Sequence, residues 1–258
     1  MAPSPFFQEN RWFQRIPVAL LLVGQVIIRL LKGKLRGATL AEQLLIAGPQ
    51  ALWSVLLINL FAGMIFTIQT ARELLRYGAL EALGGAFALA FCRELAPVLT
   101  AGIVAGQVGS AYAAEMGVMQ VTEQIDALQM LRTRPVDYLV LPRVVACCIM
   151  LPILSTFGIT IGIGGGTWVA SHFYQQPPAA FLESVRLFLD IQDLWAVVLK
   201  SVIFGLLIAL IGCSWGLTTQ GGAKGVGQSA TAAVVNIWIT IFIADFLLSL
   251  LLFGALQT

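Results

Sequence analysis

The chain has 258 residues, of which 59% are hydrophobic and only 11% charged. Soluble proteins carry about 25% charged residues, so 15 Lys and Arg with 13 Asp and Glu cannot cover a water-facing surface of this size, and the composition is that of an integral membrane protein. A net charge of +2 gives no footprint for nucleic acid, and the information lies in where the charges fall.

An ion at the centre of a bilayer costs several kcal/mol, about 2.5 to 3.5 on insertion scales, so uncharged stretches map the spans. Residues 43–71, 95–114, 144–182, 201–223 and 225–244 carry no Asp, Glu, Lys or Arg. A spanning helix needs about 20 largely apolar residues. Continuous rather than alternating apolar runs point to helices and not to a barrel. The expected fold is therefore an all-α integral membrane protein, a single domain over residues 1–258 with five spans at about 50–70, 84–113, 138–169, 194–217 and 230–256.

Residues 1–48 read as an interfacial or elbow segment. Only 13 residues separate Arg15 from Arg29, too few to span, while Trp12 and Phe13 precede and Lys32, Lys34 and Arg36 follow. Such a stretch suits a helix lying on an anionic membrane face. A signal peptide is the rival reading; it lacks a small-residue cleavage site after the apolar run. Gly48-Pro49 separates this part from the first span. In that span Leu57, Phe61, Ile65 and Ile68 recur at helical spacing, with Asn59 and Gln69 as polar exceptions.

The second span contains Arg93 and Glu94, and the fifth contains Asp245; Lys200 lies near one end of the fourth. By a rise of 1.5 Å per residue, Arg93 and Glu94 sit about 15 Å deep, where adjacent residues point about 100° apart and need not pair with each other. An interhelical network of Arg93, Glu94, Lys200 and Asp245 is feasible at these depths, either locking spans together or forming a polar floor beneath a binding pocket. Gly102, Gly106 and Gly109 put small residues on one face of span two, and Gly158, Gly162 and Gly166 do the same in span three. Small residues let helix backbones approach closely in lipid, within one chain or at a dimer seam.

Residues 115–134 show Val118, Val121, Ile125 and Leu128 at a spacing of three to four, with Gln120, Glu123, Gln124 and Gln129 polar, and Pro135 blocks continuation. The expectation is a short amphipathic helix, read either as a surface connector or as a docking helix for a soluble partner. After span three, Gln175-Gln176-Pro177-Pro178 marks a loop, and residues 180–193 have room for a short helix.

Orientation follows from Lys and Arg asymmetry. Arg11, Arg15, Arg29, Lys32, Lys34, Arg36, Arg132, Arg134, Arg143 and Lys224 fall on one side, against Arg72, Arg76, Arg186 and Lys200 on the other. This places the N-terminus in the cytoplasm and, after five spans, the C-terminus outside.

Motifs for chemistry fail. Gly216-Leu217-Thr218-Thr219-Gln220-Gly221 is followed by Gly222 instead of the lysine a phosphate-binding loop needs. Gly225-Val226-Gly227-Gln228-Ser229-Ala230 opens a span rather than following a strand, so it is no dinucleotide site. There is no G-x-S-x-G elbow. Cys92, Cys147, Cys148 and Cys213 lie in apolar stretches without C-x-x-C spacing, and His172 is the only histidine. No catalytic residue, metal or cofactor is expected for this chain.

Arg93-Glu94-Leu95-Ala96-Pro97-Val98, Gly106-Gln107-Val108-Gly109-Ser110-Ala111, Glu115-Met116-Gly117-Val118-Met119, Thr122-Glu123-Gln124-Ile125-Asp126-Ala127-Leu128 and Pro142-Arg143 together resemble the MlaE permease family. The likeness runs from about residue 40 to Gly254, is strongest over 93–166, and favours the cyanobacterial and plastid branch over the proteobacterial one. It implies a permease subunit of an ABC transporter for phospholipid or a related lipid. It further implies a homodimer, a separate cytoplasmic ATPase that uses the ATP, and an MCE-domain lipid-binding protein outside. The membrane would be the cell inner membrane, or the chloroplast inner envelope in a plastid. On this likeness Glu115, Met119, Thr122, Glu123, Gln124, Asp126 and Leu128 belong to an ATPase-coupling helix. Arg93 and Glu94 contribute to the lipid site, and Leu57, Phe61 and Ile65 border the pocket at the dimer interface. Ser229-Ala230-Thr231-Ala232-Ala233 lacks arginines that relatives carry there, so that headgroup contact does not transfer. Rival readings are a proton-coupled secondary transporter using Glu94 and Asp245, and a membrane enzyme without a credible nucleophile–base pair.

Overall fold

The computed structural model describes Gly24, residues 37–131 and residues 134–254. The basic segment from Arg11 to Arg36, with Trp12 and Phe13, and Arg132 lie outside the described residues. Helices α1 (Gly37–Ala47) and α2 (Pro49–Arg76) are followed by a helical run, α3 (Leu80–Val121). Then come α4 (Gln124–Met130), α5 (Val136–Phe173), α6 (Pro178–Phe188), α7 (Ile191–Leu217) and α8 (Gly222–Phe253). Among the described residues there is no strand. Among the described residues five helices are long and apolar enough to cross a membrane, as the sequence leads one to expect, and they exceed the expected spans: the second runs from Leu80 to Val121.

Local chemistry sets the ends. Gly48 precedes α2 and Pro49 begins it, the position where proline's missing N–H costs nothing. Gly78 takes a left-handed φ of 66° at the other end. There the Gly78 N–H donates to the Leu75 carbonyl at 3.2 Å and the Ala79 N–H to the Leu74 carbonyl at 3.0 Å, a Schellman stop. Gly221 and Gly222, with φ of 89° and 65°, lead into α8.

One expectation is corrected. Residues 115–134 do not form one amphipathic helix: Glu115 to Val121 complete α3, and only Gln124–Met130 is separate. Glu123 adopts φ 60°, a left-handed conformation that no α-helix propagates, and it breaks the apolar repeat in two. The repeat at three-to-four spacing carries no sign of such a break.

The helices divide into two compact units. One comprises Val104–Cys147 and Gly205–Thr240 together with the segment ending at Ala47; the other comprises Gly48–Ile103, Cys148–Phe204 and the segment beginning at Ile241. In the first, α3 and α7 meet through glycine: a Cβ on Gly109 would lie 3.3 Å from Ile208, and one on Gly212 would lie 2.9 Å from the Gly109 carbonyl oxygen. Gly106 is corrected as a residue of packing within the chain. A π-helical turn at Ala105–Gly109 shifts the register, and Gly106 is left exposed with open space around it, while Gly102 and Gly109 are buried.

In the second unit the core is aromatic. Phe87 stacks on Phe91 with ring centres 5.1 Å apart and tilts against Phe181 at 5.9 Å. Phe181 belongs to α6, whose Ser184 hydroxyl oxygen accepts the Gly85 N–H at 3.0 Å. Gly84 and Gly85 leave room for the Phe181 backbone and the Phe188 ring, so α6 lies directly on the start of α3. Helix α2 carries two stripes. Ala51, Val55, Asn59, Gly63, Thr67 and Ala71 recur every four residues and are buried. Gly158, Gly162 and Gly166 of α5 lie against Asn59 and Thr67 and the rings of Phe91 and Phe87, so these glycines serve packing within the chain.

Candidate functional site

The second unit brings the charges of its long apolar helices, Glu94, Lys200 and Asp245, to one place. Phe91–Leu95 is a π-helical turn, with one residue more per turn than the flanking α-helix, and it presents Arg93 and Glu94 in different directions. Glu94 turns toward Lys200 of α7. The ammonium has three N–H donors and uses all of them: 2.7 Å to Glu94 Oε2, 2.7 Å to Ser249 Oγ and 3.0 Å to the Arg93 carbonyl. The Ser249 hydroxyl in turn donates a hydrogen bond to Glu94 Oε1 at 2.9 Å. Asp245 Oδ1, one helical turn before Ser249 on α8, lies 2.9 Å from the ammonium as a charge partner. The Lys200 side chain is fully buried, whereas that of Glu94 is 42% exposed.

Arg93 stands apart from this knot, which corrects the expectation of a single network of four. Its guanidinium Nε lies 2.7 Å from Asp193 Oδ1, and its plane sits over the Phe253 ring at 4.6 Å. Only its backbone carbonyl touches Lys200. Asp193 Oδ2 also accepts the Asp190 N–H at 3.0 Å, the third-residue half of a capping box at the start of α7. Asp193 and Ser249 are not among the residues that the sequence singles out. The Asp190-x-x-Asp193 spacing is a capping signal that points to the first; nothing marks Ser249 except its place four residues after Asp245.

The first unit holds a second ion pair. Arg143 of α5 donates from Nη2 to Glu115 Oε2 at 2.7 Å and from Nη1 to the Leu139 carbonyl at 2.9 Å, and it lies over the Tyr112 ring at 5.2 Å. This pair ties the last turns of α3 to α5 on either side of the Thr122–Pro135 connection. Arg143→Met is expected to cost about 1–2 kcal/mol, below the 3–5 kcal/mol of a fully buried pair because half-exposed Glu115 can find other partners. Glu115→Gln, which keeps a hydrogen bond, is expected to cost less. Thermal unfolding of the purified variants in detergent orders them, and equal midpoints would remove the tie.

The remaining residues named from sequence are dispersed. Leu57, Phe61 and Ile65, with Trp53, form the exposed stripe of α2, opposite its buried stripe. Glu115 and Met119 lie on α3, Thr122 and Glu123 at the break, and Gln124, Asp126 and Leu128 on α4. Glu115, Thr122, Glu123, Gln124 and Asp126 are exposed, and Ile125 is the buried residue of α4. Among the described residues no group of three His, Cys, Asp or Glu side chains is placed to hold a metal ion.

The family model described as Permease MlaE matches residues 40–251. The chain is 52% identical over 242 residues to a probable ABC transporter permease protein of Synechocystis sp., covering 94% of this chain and 92% of that one. It is 48% identical over 231 residues to a probable ABC transporter permease protein of Porphyra purpurea, covering 90% and 88% of the two chains. To the chloroplastic protein trigalactosyldiacylglycerol 1 of Arabidopsis thaliana it is 46% identical over 229 residues, 89% of this chain and 65% of that one. These relatives lie in the cyanobacterial and plastid branch that the motifs of α3 indicate. The match runs through the Lys200 cluster, the Arg93–Asp193 and Arg143–Glu115 pairs and the α3–α4 break, and the chain belongs to the MlaE permease family of ABC transporter permeases.

Proposed function

We propose that the chain pairs with a second copy as the permease of an ABC transporter that moves a glycerolipid between the membrane and an external MCE-domain protein. ATP is hydrolysed by a separate cytoplasmic subunit. The N-terminus and the α3–α4 break face the cytoplasm, by the distribution of Lys and Arg, and the C-terminus faces outward, in a cell inner membrane or, in a plastid, the inner envelope. The observation that carries the coupling is α4. Ile125 seats this seven-residue helix, while Met130 at its end and Leu131 after it stay 85% and 75% exposed, and Glu123, Gln124 and Asp126 are exposed at its start. An exposed apolar tip on a polar helix suits a groove on a soluble partner. A push on α4 reaches α3 and, through Glu115 and Arg143, α5. The exposed stripe Trp53, Leu57, Phe61 and Ile65 on α2 supports an acyl-chain wall at the seam of two copies. The name of the Arabidopsis relative, a glycerolipid, supports the substrate class.

Met130→Glu/Leu131→Glu tests the coupling. The double variant changes only exposed positions and is expected to keep the wild-type stability within about 1 kcal/mol, to lose the co-purifying ATPase, and to drop ATP-dependent lipid transfer in proteoliposomes by at least about ten-fold, a loss of roughly 1.4 kcal/mol or more in coupling. Wild-type transfer by the folded variant would remove α4 from the mechanism. Transfer that persists with vanadate or without the ATPase would favour a gradient-driven carrier using Glu94 and Asp245.

A further inference from the structure

A groove of about 620 Å³ runs between the turn at Leu80–Ala82, the link at Tyr174–Pro177 and one face of α6. It is separate from the Lys200 knot and from α4. Leu187 and Phe188 give it an apolar wall. Its polar groups lean strongly toward accepting. Glu81 and Glu183 are exposed carboxylates in the lining, and among the described residues no Lys or Arg lines the groove. Ser184 Oγ is committed as acceptor to the Gly85 N–H. Gln176 adds an independent sign. It is only 7% exposed, its Nε2 donates to the Leu80 carbonyl at 3.4 Å, and its Oε1 has no hydrogen-bond partner among the described residues. A buried acceptor without a donor is costly, so Gln176 Oε1 stands open to a donor that an occupant of the groove would bring.

We propose that this groove docks a lysine- or arginine-bearing apolar segment of the external lipid-binding partner. This inference rests on the reading that such a partner works on the side where α2 ends and α6 lies. Charge complementarity selects the occupant. Two carboxylates and an open amide oxygen attract ammonium, guanidinium and backbone N–H donors and repel a phosphate, so an anionic phospholipid headgroup is the wrong ligand. The apolar wall favours side chains over a free cation, and the rigid seat of α6 on Gly84 and Gly85 holds the groove open in one shape.

The test uses the full chain co-expressed with its ATPase and its MCE-domain partner. A photo-crosslinking residue in place of Leu187, which is 78% exposed, is expected to yield an adduct with a segment of the partner that contains Lys or Arg. The double variant Glu81→Lys/Glu183→Lys is expected to retain about ten-fold less partner, since like charges across an interface suppress association, while retaining the ATPase at the wild-type level. The milder Glu81→Gln/Glu183→Gln is expected to weaken retention in a salt-dependent way. Adducts with lipid alone, or full partner retention by the double-Lys variant, would overturn the proposal. A wild-type chain that retains its ATPase but no MCE-domain protein would overturn the broader reading and this one with it.

Discussion

Lys200→Met is expected to leave little folded protein. Among the described residues the ammonium is the single cation facing Glu94 Oε2 at 2.7 Å and Asp245 Oδ1 at 2.9 Å, and it is fully buried. Removing it leaves two carboxylates close together with Ser249 alone to share. Breaking a buried ion pair from one side costs about 3–5 kcal/mol, because the uncompensated charge stays behind. In a membrane the alternative, exposure to lipid, is no cheaper. Methionine matches the length of the lysine stem, so a cavity contributes little and the loss reports the charge. Unfolding of the purified chain, followed by size-exclusion fluorescence against temperature, gives the readout. The companion variant Lys200→Met/Glu94→Gln/Asp245→Asn removes all three charges and is expected to regain most of that stability, since a neutral set of similar shape is tolerated where a broken pair is not. Its lipid transfer separates architecture from function. Stability regained with transfer still low assigns the charges a part in handling the lipid headgroup; both regained would reduce the knot to a lock between α3, α7 and α8.

This pair of outcomes matters because the sequence already marks Glu94, Lys200 and Asp245. Charge in an apolar run is legible, since so few residues carry it and each is costly. Which charge meets which is less legible. Arg93 and Glu94 are neighbours pointing apart on a π-helical turn at Phe91–Leu95, and one goes to Asp193 and the other to Lys200. A π turn is set by packing on both sides of a helix and has no signature in three-to-four spacing. The same effect at Ala105–Gly109 turns Gly106 outward although it keeps the four-residue spacing from Gly102. The break at Glu123 is hidden for a related reason: glutamate has no preference for left-handed backbone, so only the surrounding structure holds it at φ 60°. The five spans are legible because length and apolarity decide them. The groove beside α6 is not, because residues from Leu80 to Phe188 meet there across about a hundred positions of sequence.

Packing without charge supplies the other large effect. Gly63→Val is expected to prevent α2 from seating on α5. A Cβ at Gly63 would lie 2.8 Å from the Cα of Gly162, and the obstacle is backbone, which cannot rotate away as a side chain does. The neighbouring contacts leave no slack. A Cβ at Gly158 would meet Asn59 Nδ2 at 2.9 Å, and one at Gly166 would crowd Thr67 Oγ1. Asn59 is itself fixed by hydrogen bonds to the Val55 carbonyl at 3.0 Å and to Thr100 Oγ1 at 3.2 Å. Small residues every four positions on both helices thus set one close crossing, which in lipid is stabilised by van der Waals contact rather than by escape from water. Overpacking a tight core costs about 1–3 kcal/mol and more where backbone must move, and Gly63→Val is expected at or above the top of that range. Gly164→Ala is the control: Gly164 is exposed on α5 with open space at its Cβ position, and its change is expected to stay within about 0.5 kcal/mol. The effect also reaches the exposed face of α2, because rotating the helix to relieve the introduced valine turns the opposite stripe of Trp53, Leu57, Phe61 and Ile65 out of its present orientation. Gly63→Val that folds as well as Gly164→Ala would show that the crossing is loose, and would leave the orientation of the apolar stripe without a structural cause.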